Sequence, residues 1–174
     1  MADVVIVYMH WGTEYDPTVT HTQDVQAQFL ADQGVDLVLG SHNHVTQTIR
    51  MYTGAEGKTV PVVFGMSDFV SGYRLVDTIV SGIFTCDFVK GEYEVSIRNM
   101  RWYPCVEWSD GGDTYVRMIK DMTDEELNAN TRPTDCKKQA RYIRGYINDL
   151  QMEVPVIMTP EDEEALESSK DEEA

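Results

Sequence analysis

The chain has 174 residues, of which 42% are apolar, and this length and composition suit one globular domain with a short tail. Its formal net charge of −16, from 14 basic and 30 acidic residues, argues against binding to nucleic-acid phosphates, because such binding requires lysine and arginine. The sequence has no run of the roughly 18 apolar residues that a membrane-spanning helix needs, and no basic segment precedes the first apolar run as in a signal peptide.

The first predicted elements form a strand–helix–strand unit. Residues 4–9 and 36–39 are short apolar runs, typical of strands that are buried on both faces of a parallel sheet. Between them, Thr20 and Gln23 have the capping-box spacing, which predicts a helix that starts there and ends at Gly34. The apolar face of this helix is formed by Val25, Phe29 and Leu30. Because such units are almost always right-handed and parallel, both strands should end at the same edge of the sheet.

Further strands are predicted in the middle of the chain. The stretch TVPVVFG at 59–65 predicts a third strand. Residues 77–104 have the pattern of a hairpin with its turn near 90–91, and DTYVRMI at 113–119 predicts one more strand. The three cysteines are widely spaced, so we expect free thiols rather than a disulfide framework or a zinc knuckle: Cys86, Cys105 and Cys136.

The C-terminal third is predicted to be helical. Helices are expected at 123–130 and 132–150. One apolar stripe on the second helix should pack into the core: Cys136, Ala140, Ile143, Ile147 and Leu150. Residues 1–158 are then the folded domain. Residues 159–174 hold eight acids and one lysine, which predicts an acidic, solvated and disordered tail.

Three of the four histidines follow the two parallel strands directly. His10 ends the first strand, and His42 and His44 follow the second strand in the sequence GSHNH. Open α/β sheets bind ligands at the carboxyl ends of their strands, and imidazole is a common ligand of transition metals. A single histidine at a strand end is more often a satisfied polar residue, but three at one edge favour a metal site. His21 is expected at the surface.

Three blocks of sequence carry a family resemblance: HWGTEY at 10–15, QAQFLADQGVDLVLGSHNHVTQ at 26–47 and VPVVFGMSDF at 60–69. They resemble the CapA family of poly-γ-glutamate and capsule biosynthesis proteins, which has a calcineurin-like metallophosphoesterase fold. The resemblance is close over residues 3–70 and loose over 75–150. HWGxEY followed about 30 residues later by GxHxH is much more specific than either block alone.

The resemblance implies the fold and the metal site. The fold would be α/β (α+β), part of a four-layer αββα β-sandwich flanked by helices, with a dinuclear divalent-metal site of Mn, Fe or Zn at the strand ends. His10 and His42 would bind one metal and His44 the other. Two metals would polarise a phosphoryl oxygen and generate a hydroxide nucleophile.

Other side chains would complete this site. Trp11 and Glu14 would line it. Glu14 would hydrogen-bond to a metal ligand or transfer protons, or else be a solvated acid of the loop. The expected catalytic residues are His10, Glu14 and His42. Asp68 lies in the turn after the third strand, where it could contact the site or only cap the turn.

The resemblance also implies what the chain does. The family's N-terminal half, with blocks that supply further ligands, has no counterpart here, so we expect the C-terminal half of a bacterial, extracytoplasmic or cell-surface hydrolase domain. Its substrate would be a phosphoester or related to the polymer. One alternative is a non-catalytic binding or assembly module of a capsule synthesis and export complex. Another is an unrelated metallohydrolase with four ligands: His10, His42, His44 and Asp68.

Overall fold

A computed structural model describes residues 2–92, 95–135 and 140–171 of the chain. Within these residues, the first sheet contains four strands: β1 Ile6–His10, β2 Leu37–Ser41, β3 Ile49–Thr53 and β4 Thr59–Val63. The second sheet contains three strands: β5 Val80–Lys90, β6 Val95–Trp108 and β7 Tyr115–Met118. The described α-helices are α1 His21–Asp32, α2 Val76–Ile79, α3 Asp124–Asn128, α4 Ala140–Asp149 and α5 Pro160–Asp171, with a 3-10 turn at Ile119–Asp121.

The predicted strand–helix–strand unit is confirmed, but the prediction that both strands are buried on both faces is wrong for β1. It is an edge strand, in which Ile6 and Tyr8 are 49% and 64% exposed. β1 and β2 are parallel neighbours, and α1 connects them. Thr20 and Gln23 form the capping box at the start of α1, and Gly34 follows its end with a φ of 79°. The predicted third strand is β4, which pairs in parallel with β2. β3 was not predicted from the sequence. It lies antiparallel to β4 at the far edge, so the sheet order is β1-β2-β4-β3.

The buried face of α1 differs from the predicted one. Val25 and Phe29 are 53% and 59% exposed, and of the three predicted residues only Leu30 is partly buried in the core. The buried residues lie at a spacing of four: Gln23, Ala27 and Ala31. Small side chains allow the helix backbone to approach the sheet closely, since a Cβ at Gly54 would lie 2.3 Å from the carbonyl oxygen of Ala31. Because only small side chains fit at this close distance, the alanine face of α1 packs against the sheet and the larger apolar residues Val25 and Phe29 stay exposed.

The two sheets pack face to face through a shared apolar core: Leu39, Ile49, Met51, Val63, Phe84, Met100 and Trp102. The opposite face of the first sheet packs against α1 through a second core: Trp11, Ala27, Ala31, Val38, Val60, Val62 and Phe64. A third core joins β5 and β6 to α2, α3 and α4: Val76, Ile79, Val80, Val106, Leu127, Ala140, Ile143 and Ile147. The expected mixed α/β class, with two sheets and flanking helices, is confirmed.

The hairpin, the last strand and the first C-terminal helix also follow the prediction, whereas the second helix, predicted over 132–150, is not helical at 132–135 and is described as α4 from Ala140. β5 and β6 pair antiparallel, and β7 pairs antiparallel with β6. The apolar stripe of α4 is buried as expected: Ala140, Ile143, Ile147 and Leu150. Cys136, the first member of the predicted stripe, lies outside the described residues. Among the helices that the structure describes, none is both long and apolar enough to cross a bilayer.

The acidic C-terminal segment differs from the predicted disordered tail, because residues 160–171 form α5. The Oγ1 atom of Thr159 accepts a hydrogen bond from the backbone of Asp162, which caps the helix. Glu163 accepts a hydrogen bond of 2.8 Å from the hydroxyl of Tyr103 and lies 3.2 Å from Nζ of Lys120. These two contacts lower the pKa of Glu163. Glu163 thus finds one partner on the second sheet and one in the 3-10 turn that follows it, which composition alone does not reveal.

We expect Gly40→Ala to destabilise the fold, because a Cβ at Gly40 would lie 1.9 Å from the carbonyl oxygen of Phe64 and 2.4 Å from Nε1 of Trp11. Overpacking of this kind costs about 1–3 kcal/mol in the free energy of unfolding, measurable by urea denaturation. Gly145→Ala in α4 is the matched control, since nothing lies within 4 Å of its Cβ and alanine favours helix by about 0.5–1 kcal/mol. A Gly40→Ala protein as stable as the wild type would contradict the close approach of β2 to the chain after β4.

Candidate active site

The histidines of β1 and of the loop after β2 meet at one edge of the sheet. His10 lies opposite Ser41 in the parallel register, so the chain that leaves β2 carries His42 beside His10. The ring centroids of His10 and His42 are 4.4 Å apart, and those of His42 and His44 are 6.5 Å apart. The structure therefore brings these three imidazoles together. His21, the first residue of α1, is exposed.

The carboxylate of Asp68 contacts the imidazole of His44. Nδ1 of His44 lies 2.9 Å from Oδ2 and 3.1 Å from Oδ1 of Asp68. A carboxylate accepts hydrogen bonds, so the proton of the neutral imidazole lies on Nδ1 and the lone pair of Nε2 stays free. The chain after β4 delivers Asp68 to this place, because the amide of Met66 donates to the carbonyl of Gly40 and Oγ of Ser67 donates to the carbonyl of His44.

Two tyrosine rings pack beside His44. The ring centroids of Tyr15 and Tyr73 lie 5.8 Å and 5.0 Å from that of His44. The hydroxyl of Tyr15 donates to the hydroxyl of Tyr73 at 2.9 Å. This hydrogen bond, followed by desolvation and nearby negative charge, raises the pKa of Tyr15 to about 12, so its hydroxyl is protonated at neutral pH. Tyr15 stands in the HWGTEY block, whereas nothing in the sequence around Tyr73 connects it with His44.

Backbone strain is concentrated at this site. Six non-glycine residues in the described part have a positive φ, and four of them belong to the site: Tyr15 at 63°, His42 at 97°, His44 at 55° and Ser67 at 61°. Such conformations cost of order 1–3 kcal/mol each and persist only where the surroundings impose them. One such restraint is the hydrogen bond of 2.7 Å from the amide of Tyr15 to the carbonyl of Asn43. The strain is typical of a functional site.

A layer of buried side-chain amides supports the loop after His10. Nε2 of Gln23 donates to Oε1 of Gln47 at 2.8 Å, and Nε2 of Gln47 donates to the carbonyl of Asp16 at 3.1 Å. Nδ2 of Asn43 donates to the carbonyl of Thr13 at 3.3 Å. All three amide side chains are at most 1% exposed, so these bonds form away from water and rigidify the loop. Of these residues, the sequence pattern indicated only Gln23, and only as the capping-box partner of Thr20.

Trp11 and Glu14, the predicted walls of the site, lie in different environments. Trp11 is 6% exposed, stacks on the ring of Phe64 at 5.4 Å and donates from Nε1 to the carbonyl of Phe64 at 2.8 Å. It therefore lies in the core beneath the histidines. Glu14 is exposed on the loop, where its charge acts on Tyr15.

The described residues fit part of a metal site rather than a complete one. The paired imidazoles of His10 and His42 suit a shared ion, and Nε2 of His44 is free to bind. Zinc sites commonly use three or four protein ligands. Residues 2–92, 95–135 and 140–171 contain no group of three histidine, cysteine, aspartate or glutamate side chains placed to hold one ion.

Residues 1–73 match the family "Bacterial capsule synthesis protein PGA_cap". This segment is similar to the CapA family of capsule and poly-γ-glutamate biosynthesis proteins. The matched segment contains β1 to β4 and every site residue described above, from His10 to Tyr73. The resemblance carried by the HWGTEY and GSHNH blocks is therefore confirmed.

Several curated relatives are similar to the same part of the chain. A PGA biosynthesis protein CapA of Bacillus subtilis (strain 168) is 42% identical over 53 residues, and a capsule biosynthesis protein CapA of Bacillus anthracis is 41% identical over 51 residues. A probable polyglutamine synthesis accessory protein of Mycobacterium tuberculosis is 32% identical over 72 residues. These matches cover 30%, 29% and 41% of this chain, but only 14%, 12% and 18% of the relatives' lengths. No solved structure matches the chain.

We expect Asp68→Ala to shift the proton of His44 from Nδ1 to Nε2, because the carboxylate is the acceptor that holds it on Nδ1. Long-range ¹H–¹⁵N NMR, at a pH where the imidazole is neutral, distinguishes the two tautomers. Glu14→Ala is the matched control, since it removes an equal charge from the same neighbourhood and should leave the tautomer unchanged. If Nδ1 stays protonated in Asp68→Ala, the carboxylate does not orient this imidazole.

Proposed function

We propose that the chain serves capsule or poly-γ-glutamate biosynthesis and that its histidine cluster is part of a metal-dependent phosphoesterase-type hydrolase site. One observation carries this proposal: His10, His42 and His44 converge at the carboxyl ends of parallel strands, inside the segment that matches the family. The two packed sheets agree with the metallophosphoesterase-like sandwich that the resemblance implies.

The residues of the site have distinct proposed roles. His10 and His42 would hold one divalent ion, of Mn, Fe or Zn, and Nε2 of His44 would bind a second. Bound metal supplies Lewis acidity and lowers the pKa of water. Because the described residues form no complete set of ligands, the remaining ligands would be other groups, such as water and substrate oxygens. Glu14, exposed beside Tyr15, would be a proton-transfer group.

The charge of the chain bears on the proposed substrate. A net charge of −16 disfavours electrostatic binding of an anionic polymer such as polyglutamate. We therefore propose a phosphoester, or a small precursor related to the polymer, as the substrate. By the family resemblance, we propose that the protein works at the bacterial cell surface, in contact with a capsule-synthesis complex.

The test of this function is metal content together with phosphodiesterase activity in the presence of Mn²⁺. Loss of a residue behind a ligand typically costs 10–100-fold in metal affinity or activity, so His10→Ala, His42→Ala and His44→Ala should each lower activity by more than about 100-fold. His21→Ala is the matched control, because His21 is an exposed histidine on α1. Equal activity in all four variants and in the wild type would contradict the proposal.

A second candidate function is a non-catalytic binding or assembly module of a capsule-synthesis complex. The observation in its favour is that the described residues contain no three side chains placed to hold one ion. A protein that binds no Mn²⁺ and has no phosphodiesterase activity would support the module. One tightly held ion per chain, lost in Asp68→Ala, would instead support the unrelated metallohydrolase with four ligands.

A further inference from the structure

A largely buried ion pair joins the second sheet to the segment before α4. Glu107 of β6 is fully buried, and its Oε2 lies 3.0 Å from Nε of Arg132. Its other oxygen, Oε1, accepts hydrogen bonds from the amide and the hydroxyl of Ser71, at 2.7 Å and 3.1 Å. Nη2 of Arg132 donates to the carbonyl of Ser71. The pair therefore binds both the amide and the carbonyl group of Ser71.

Arg132 is itself held in place by a buried asparagine. Oδ1 of Asn130 accepts from the amides of Ser109 and Arg132, each at 3.0 Å, and its Nδ2 donates to the carbonyl of Glu107 at 2.9 Å. Asn130 is 1% exposed, so these bonds form away from water. The amide of Asn130 thus ties the segment that carries Arg132 to the end of β6, and the ion pair is built on a rigid support.

Ser71 lies in the 64–75 loop, which connects β4 to α2 and carries both Asp68 and Tyr73. The amide of Tyr73 donates to Oγ of Ser71 at 3.2 Å, so the hydroxyl links Tyr73 to Glu107. Among the described residues of this loop, Asp68 and Tyr73 have side chains that contact the imidazole ring of His44. The ion pair therefore binds the loop at Ser71, which lies between Asp68 and Tyr73 in the sequence.

A buried ion pair rarely stabilises a fold more than apolar side chains of the same size would in its place. A carboxylate does, however, fix the direction of the groups that donate to it, which an apolar side chain cannot do. The geometry points to Glu107 and Arg132 as positioning residues, which hold the 64–75 loop so that Asp68 keeps its contact with Nδ1 of His44. The catalytic meaning of this inference rests on the proposed function, whereas the geometry at His44 is testable without it.

The decisive variant is Glu107→Gln, which keeps the size of the side chain but replaces one carboxylate oxygen by a donor. We expect the ¹⁵N signals of His44 in this variant to move toward those of Asp68→Ala. Arg132→Met should cause the same change in the His44 signals. Arg132→Lys should cause a smaller change, because lysine keeps the charge. If the hydrolase activity is present, kcat should fall by about 10–100-fold with little change in KM.

Two further variants separate positioning from folding. Glu126→Gln is the matched control, because Glu126 pairs with Arg117 at 3.1 Å, and in the described part neither residue contacts the 64–75 loop. It should leave the signals of His44 unchanged. Ser71→Ala removes only the half-buried hydroxyl. It therefore tests the contact between Glu107 and the 64–75 loop if Glu107→Gln does not fold. It should alter the contact of Tyr73 with His44.

The two proposals fail in different ways. A folded Glu107→Gln or Ser71→Ala protein with the His44 signals of the wild type would overturn the positioning role, whatever the activity. If the His44 signals move in Glu107→Gln but the wild type has no phosphodiesterase activity, the positioning role stands and the proposed hydrolase function does not. Equal shifts of the His44 signals in Glu126→Gln would also overturn the positioning role, because the shifts would then be a general response to the loss of an ion pair.

Discussion

The candidate site depends on the parallel pairing of β1 with β2. Because the two strands run in the same direction and end together, His10 and His42 leave the sheet side by side, 4.4 Å apart between ring centroids. The pairing of β2 with β4 then places the 64–75 loop along the same edge. Gly40 makes this geometry possible, since no side chain fits between β2 and the carbonyl of Phe64. An antiparallel pair could not place the carboxyl ends of both strands at one edge.

Strain and support are balanced at this edge. The loops that carry the histidines adopt left-handed backbone conformations, which bring polar side chains into contact at the cost of local stability. Buried amide side chains offset this cost with hydrogen bonds to the loop backbone, among them Gln47 and Asn43. Asp68 then selects one tautomer of His44. The result is an imidazole with a free Nε2, suited to bind a ligand or to accept a proton.

The support for the site extends beyond the segment that matches the CapA family. Residues 1–73 supply the side chains around the histidines, but Glu107 and Arg132, which hold the 64–75 loop, come from the second sheet and the segment before α4. The second sheet also buries the inner face of the first sheet. The two sheets therefore form one unit in which the first carries the histidine cluster and the second restrains the loop beside it.

By itself, the sequence determined the features that depend on near neighbours: the apolar strands, the capping box of α1, the stripe of α4 and the histidines at two strand ends. The CapA resemblance rested on the same local blocks. The tertiary structure decided the contacts between distant segments. It selected the alanine face of α1, added β3, gave the acids of α5 their partners and brought Asp68 and Tyr73 to His44. These contacts join residues far apart in the chain, so no local pattern encodes them, and only the packing of the two sheets specifies which side chains meet.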